Sequence, residues 1–204
     1  MRTFVAAGRK KSFNENEALR SAIDVFWAKG YAGASLTDLT KSMGINKPSL
    51  YGAFGNKEAL FIKATKLYIE LRMQVHSEIL VEPNMPLGHR LKNYLMAVIL
   101  NQCESEQPKG CYLVLCQSEL ISGDIPPLAA NFLKEMEEMP KQLFIDIFTN
   151  DPESITRKLD LHAYNNALSL YTLLKGTASM ARSGISAADL EFVADIVLRG
   201  IGFE

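Results

Sequence analysis

Apolar residues at Leu19, Ala22, Ile23, Phe26 and Trp27 recur at i, i+3, i+4, i+7 and i+8, which is one face of a helix. Asn14, with Glu17 three residues on, marks its start, and Gly30 its end. Leu36, Leu39 and Met43 give a second, short helix its buried face, opened by Ser35 and Asp38. Gly44 supplies a turn. Asn46 can cap a third helix with Leu50 and Phe54 pointing inward. Gly55 breaks it, and Asn56 can cap a fourth that runs to about Leu80. After Pro83 and Pro86 the pattern predicts helices over about 87–103, 110–122, 126–149, 155–182 and 187–202. Their separators, EQPKG, SGDIPP, TNDPES and RSGIS, are rich in turn formers. Strand alternation is scarce and Asn-Gly or Asp-Gly hairpin signals are absent, so the fold class is all-α. Hydrophobic residues make up 48% of the 204, enough for a core.

Charge divides the chain unevenly. Residues 1–66 hold 11 Lys/Arg against 5 Asp/Glu (+6), and the remainder holds 11 against 18 (−7). A basic front suits a polyanion, and an acidic back does not. Residues 1–13 read as a flexible basic arm ending in Arg9, Lys10 and Lys11. The start shows no secretory pattern, and no apolar stretch is long enough to span a membrane, so the expected setting is the cytoplasm. Cys103, Cys111 and Cys116 are odd in number and lack CxxC spacing or histidine company, which argues against a disulfide framework or a zinc site. No metal or cofactor is expected.

The third helix has its inward face used up by Leu50 and Phe54. Lys47, Pro48, Ser49, Tyr51 and Gly52 are left outward or at its leading end. A helix that enters the major groove needs such a face. Lys47 can donate to guanine or phosphate, Ser49 suits a base edge, and Pro48 offers apolar contact to a thymine methyl. Tyr51 reaches a phosphate oxygen. Thr37 and Lys57 open the flanking helices, where free N–H groups also bind phosphate. The arm can reach the neighbouring minor groove. Any one of these residues alone is ordinary helix surface; together with the charge split they point to duplex DNA.

The stretch SLTDLTKSMGINKPSLYGAFGNKEALF resembles the DNA-binding region of the tetracycline-repressor (TetR) family of bacterial transcription regulators. Ser35 and Thr37, the Gly44-Ile45-Asn46 turn, Leu50-Tyr51-x-x-Phe54 and Asn56-Lys57-Glu58-x-Leu60 carry the match. The resemblance covers about residues 14–62. It implies a three-helix helix-turn-helix DNA-binding domain over 14–62, and a larger helical ligand-binding and dimerisation domain over 63–204. It also implies phosphate contacts from Thr37, Tyr51 and Lys57 and base contacts from Lys47, Pro48 and Ser49. The chain departs from the family at Gly52 and Ala53, where many relatives carry bulkier or polar residues.

The same resemblance implies a palindromic operator and a small-molecule effector. It further implies a homodimer joined through about 155–202, where the last two helices pair with their copies. Leu190, Val193, Ala194, Val197, Leu198 and Ile201 would form the seam with Leu161, Tyr164, Leu168, Tyr171, Leu174 and Ala178. Met73, Met96, Ile99, Leu100, Cys103, Cys111, Leu115, Phe132 and Met136 are the candidate lining of the effector cavity, although such residues also build ordinary core. The phrase GCYLVLCQSEL is similar to a motif of a TetR subgroup in which some members sense electrophiles or oxidants. Gly110-Cys111 opens a helix beside Lys109, and both features favour thiolate. The expected function is a repressor released from its operator by a small-molecule or thiol-reactive effector. The alternatives are a helical protein-interaction adaptor and a cysteine-dependent enzyme. No nucleophile elbow, phosphate loop or metal spacing supports the enzyme.

Overall fold

Six of the α-helices begin on a side chain that takes up free backbone amides, and these caps set most of the element boundaries. The computed structural model describes residues 13–104 and 108–203, the side chains of 73–77 and 104 excepted. Ten α-helices lie among the described residues: α1 Glu15–Gly33, α2 Leu36–Ser42, α3 Lys47–Phe54, α4 Lys57–Leu80, α5 Leu87–Glu104, α6 Tyr112–Ser118, α7 Pro127–Asn150, α8 Pro152–Thr156, α9 Ala163–Arg182 and α10 Ala187–Ile201. Short 3-10 turns cover Glu119–Ile121 and Asp160–His162, and no strand occurs among the described residues.

Asn14 Oδ1 accepts from the amides of Asn16 and Glu17, Asn46 Oδ1 from Ser49, and Asn56 Oδ1 from Ala59. Ser35 and Asp38 close a reciprocal capping box at α2. The expected end of α1 at Gly30 is real in conformation: Gly30 sits at φ 72, ψ 178, and the turn beyond it only extends the helix to Gly33.

One expected element is broken. The pattern over 155–182 predicts a single helix, whereas the chain forms α8, a 3-10 turn and α9. Asp151 Oδ1 accepts from the amides of Glu153 and Ser154, which starts α8 early. Ser154 Oγ donates to the Phe148 carbonyl at 2.6 Å. Lys158 then takes a positive φ of 61°, which no helix continues. The segment expected at 110–122 is shorter too, since α6 gives way to a 3-10 turn at Glu119.

Two apolar clusters hold the molecule. The first joins α1, α2, α3 and the front half of α4 to α6 and the start of α7, through Phe26, Trp27, Phe54, Phe61, Tyr112 and Leu133. The second joins α5, the end of α7, α9 and α10, through Leu91, Phe144, Leu170 and Leu190. The first cluster thus crosses the boundary expected near residue 62. At 24 residues α4 is roughly 36 Å long and reaches from one cluster to the other. At its far end Arg90 Nη1 donates to the Leu80 carbonyl, Nε donates to the Met85 carbonyl, and Nη2 pairs with Asp151. These bonds fix the turn into α5.

Two glycines make opposite demands. A Cβ on Gly30 would lie inside the Glu119 carboxylate, and the φ/ψ of this residue belongs to a region that is essentially glycine-only. Gly52, in the middle of α3, has open space around it. Gly30→Ala should therefore cost about 1–3 kcal/mol or more in urea unfolding. Gly52→Ala should stabilise by about 0.5–1 kcal/mol through helix propensity alone.

Candidate functional site

The local chemistry of 35–57 turns one face of α3 outward. Asp38 links Ser35 to Lys29, whose Nζ lies 2.7 Å from Asp38 Oδ1. The Lys29 and Ser35 bonds hold the Asp38 carboxyl down at about 2, well below its usual value. Gly44, at φ 64, makes the turn. Leu50 and Phe54 are buried, as their spacing predicts. Lys47, Pro48 and Gly52 are exposed, Tyr51 is 49% exposed, and Ser49 is partly covered. Thr37 is exposed on α2. The structure therefore brings Lys47, Pro48, Ser49 and Tyr51 together on one short helix. Lys57 is partly withdrawn, with its ammonium 4.4 Å from the centre of the Tyr31 ring. Burial there lowers its pKa, which the nearby Glu119 opposes. Arg9, Lys10 and Lys11 lie outside the described residues.

A cavity of about 130 Å³ lies between α1, α4, α5, α6, α7 and α9. Trp27, Tyr68, Tyr94, Leu113, Met136 and Tyr171 give it an aromatic and apolar wall. Gln102, Gln117, Arg72, Lys175 and Cys111 bring polar groups to it. Lys175 Nζ pairs with Glu137 at 2.7 Å, and Arg72 Nη1 donates to Asn101 Oδ1 at 2.9 Å. Of the residues expected to line a cavity, Cys111 and Met136 do so. Ile99 is buried in the second apolar cluster, with Met96 and Cys103 packed against it. Leu115 packs on the first cluster, Leu100 is exposed, and Phe132 receives the Lys66 ammonium. The side chain of Met73 lies outside the description. Sequence reading missed Trp27, Tyr68, Tyr94, Gln102 and Lys175. Trp27 looked like plain core on the face of α1, and Tyr171, read as part of a seam between chains, turns inward.

Cys111 stands at the N-cap of α6 without a capping side-chain bond, partly buried, with Sγ 3.8 Å from Tyr68 Oη. Cys116, one turn further on, is buried, and burial pushes its thiol pKa well above the ordinary value. Cys103 contacts the Ile185 carbonyl.

Three polar contacts join the α2–α3 end to the cavity end. Glu119 Oε2 accepts from the Tyr31 amide at 2.7 Å, just past the Gly30 break. Glu58 Oε1 accepts from the Ala129 amide at 3.1 Å, serving the start of α7, whose own N-cap residue is a proline. Arg182 Nη2 donates to the Trp27 carbonyl at 3.3 Å.

The outer side of α9 and α10 leaves large apolar side chains uncovered. On α10 Phe192 is 62% exposed and Ile196 50%, and Leu168, Met180 and Val193 are exposed along a groove between α9 and α10. Leu198, expected in the same seam, is instead 5% exposed and packs inside the chain.

A short helix with a hydroxyl, lysine and phenol face, set behind a capped partner helix and a glycine turn, is a helix-turn-helix. Fold and site define a DNA-binding transcription regulator. No cluster of metal-ligating side chains occurs among the described residues. The profile of bacterial regulatory proteins of the tetR family matches residues 18–64. The HTH-type transcriptional repressor ComR of Escherichia coli is 29% identical over 94% of this chain and 90% of its own. The HTH-type transcriptional regulator YezE of Bacillus subtilis is 29% identical over 86% of this chain and 93% of its own. A cysteine mutant of the TetR-family regulator CifR, solved with 26-base-pair double-strand operator DNA, superposes with a TM-score of 0.82 at 28% identity, over 94% of this chain and 98% of that one. The chain belongs to the TetR family of transcriptional regulators. No helix among the described residues is long and apolar enough to cross a membrane.

Proposed function

We propose that this regulator is a repressor that binds a palindromic operator as a homodimer and releases it when a small molecule fills the cavity. The exposed face of α3 carries the reading, because Leu50 and Phe54 are spent inward while Lys47, Pro48 and Tyr51 are exposed and Ser49 is partly so. Residues 14–62 form the DNA-reading unit, and 63–204 the ligand-binding and dimerisation unit. Lys47, Pro48 and Ser49 meet base edges; Thr37, Tyr51 and Lys57 hold phosphate; Arg9, Lys10 and Lys11 reach along the groove. The CifR complex supports duplex operator DNA as the target, and ComR supports repression.

Two half-sites one helical turn apart need two reading heads at a fixed spacing. The exposed apolar side of α9 and α10 supplies a seam for the second chain. The effector need only prefer the form with the wrong spacing. Trp27 belongs both to the cavity wall and to the apolar cluster of the reading unit, so a ligand that moves it moves α1. The Cys111 thiol lies in the same wall and offers a second route. An α,β-unsaturated carbonyl compound that enters would form a bond from its β carbon to the sulfur as its carbon–carbon π bond breaks, and the thiol proton would end on the α carbon.

Fluorescence anisotropy with an operator duplex checks the DNA contacts. Lys57→Ala should weaken binding nearly equally on all sequences and lower the salt slope by about 1. Tyr51→Phe should cost about 1 kcal/mol per site, and Lys47→Ala should also change sequence preference. Unaltered binding in all three removes the assignment. For assembly, Phe192→Glu and Ile196→Glu should give folded monomers by sedimentation, since each places a charge in the apolar seam and leaves the chain's own core intact. A charge at Leu198 should unfold the chain instead. For the thiol, Cys111→Ser should bind operator normally and ignore an alkylating reagent that releases DNA from the unaltered protein. Release that persists in the variant leaves reversible ligand binding as the only trigger.

A further inference from the structure

Two buried polar atoms in the cavity wall have no partner among the described residues. They are Trp27 Nε1, on a side chain only 3% exposed, and Gln102 Oε1, on one 5% exposed. An indole nitrogen can only donate, and an amide oxygen can only accept. The orientation of the Gln102 amide is fixed by its neighbour. Its Nε2 donates to the Leu174 carbonyl at 3.3 Å, and a turned amide would set oxygen against oxygen. Two residues of the wall therefore carry one donor and one acceptor without a partner, each covered by its neighbours, in a lining that is mostly rings and aliphatic groups. Leaving such groups unpaired inside a protein is unfavourable, and a matching ligand removes that penalty. Of the two cations in the wall, Lys175 already pairs with Glu137, and Arg72 is exposed to solvent and bonds Asn101 Oδ1, so neither is a buried charge in want of a partner.

We infer that the cavity takes a neutral, compact, mostly apolar molecule bearing a hydroxyl or carboxamide that accepts from Trp27 Nε1 and donates to Gln102 Oε1. The inference rests on the effector reading above and gives its ligand a chemical class. A single hydroxyl carries both functions, and a primary amide carries them on adjacent atoms. A hydrocarbon of the same shape leaves both protein groups unpaired. A carboxylate offers the indole an acceptor but has no proton for Gln102 Oε1, which then stays unpaired beside a negative charge.

Trp27 is the only tryptophan of the chain, so its emission reports the site directly. The probes are benzyl alcohol, benzamide, toluene and benzoate, titrated into the full-length protein. Benzyl alcohol and benzamide should saturate a change in Trp27 emission with dissociation constants about tenfold or more below those of toluene and benzoate. Gln102→Met should remove that preference while toluene binding stays the same. Trp27→Phe, followed by thermal shift, should do likewise without touching the Leu174 contact. Equal binding of toluene and benzyl alcohol by the unaltered protein would mean that water serves both atoms, and it overturns the inference. Tightest binding by benzoate, a preference that survives both substitutions, or no response to any probe at millimolar concentration also overturns it. Operator release, read by anisotropy in the same titrations, separates the two ideas. Selective binding without release supports the ligand class and refutes the effector reading. Release by benzyl alcohol without selectivity over toluene does the reverse.

Discussion

The packing of aromatic rings between α1, α4 and α6, edge-on between α1 and α4 and tilted against Tyr112 of α6, is the contact on which the rest of the molecule depends. Trp27 meets Tyr68 at 5.6 Å and 84°, Phe26 meets Phe61 at 5.1 Å and 85°, and Tyr68 meets Tyr112 at 5.0 Å. Such pairs contribute about 0.5–1.5 kcal/mol each beyond the area they bury. The phenol of Tyr112 is buried and bonds the Thr65 hydroxyl at 2.8 Å, and its burial raises its pKa well above the usual value. The cluster joins the reading helices to the cavity helices through direct ring contacts. A dense core of this kind transmits a displacement instead of absorbing it.

The polar contacts run in both directions across the same boundary. Glu58, from the start of α4, serves the Ala129 amide of α7, and Glu119, beyond α6, serves the amide after the α1 break. Each half of the chain thus completes backbone hydrogen bonding that the other leaves open. Coupling between two sites needs an element whose arrangement both can bias. In the proposed mechanism α4 would be that element, with Lys57 and Glu58 at one end, Tyr68 and Arg72 at the cavity, and Leu80 held by Arg90 at the other end.

The reading unit was nearly all legible in the sequence because its signals are local. Caps at Asn14, Ser35, Asn46 and Asn56 act within three residues, and the inward pairs Leu50 and Phe54 follow helical spacing. The cavity was legible only in part. Its wall is drawn from six helices, and spacing within one helix does not say which side faces a gap and which faces packed neighbours. Ile99 and Tyr94 show this: both are buried on α5, yet only Tyr94 reaches the cavity. The break at 157–162 escaped for a related reason. The apolar period continues through it, and only the capping by Asp151 and the left-handed Lys158 interrupt the helix.

The bond between Glu119 and the Tyr31 amide has a kinetic meaning as well as a structural one. Gly30 has ended the helical ladder just before it, so this amide relies on a carboxylate that arrives from 88 residues further along the chain. Its protection from exchange with solvent deuterium therefore belongs to the joint between the two halves and not to helix α1. The amides just before the break answer to helix fraying, and this one answers to separation of the halves. A single backbone proton thus works as a gauge of whether the reading head and the cavity are in register.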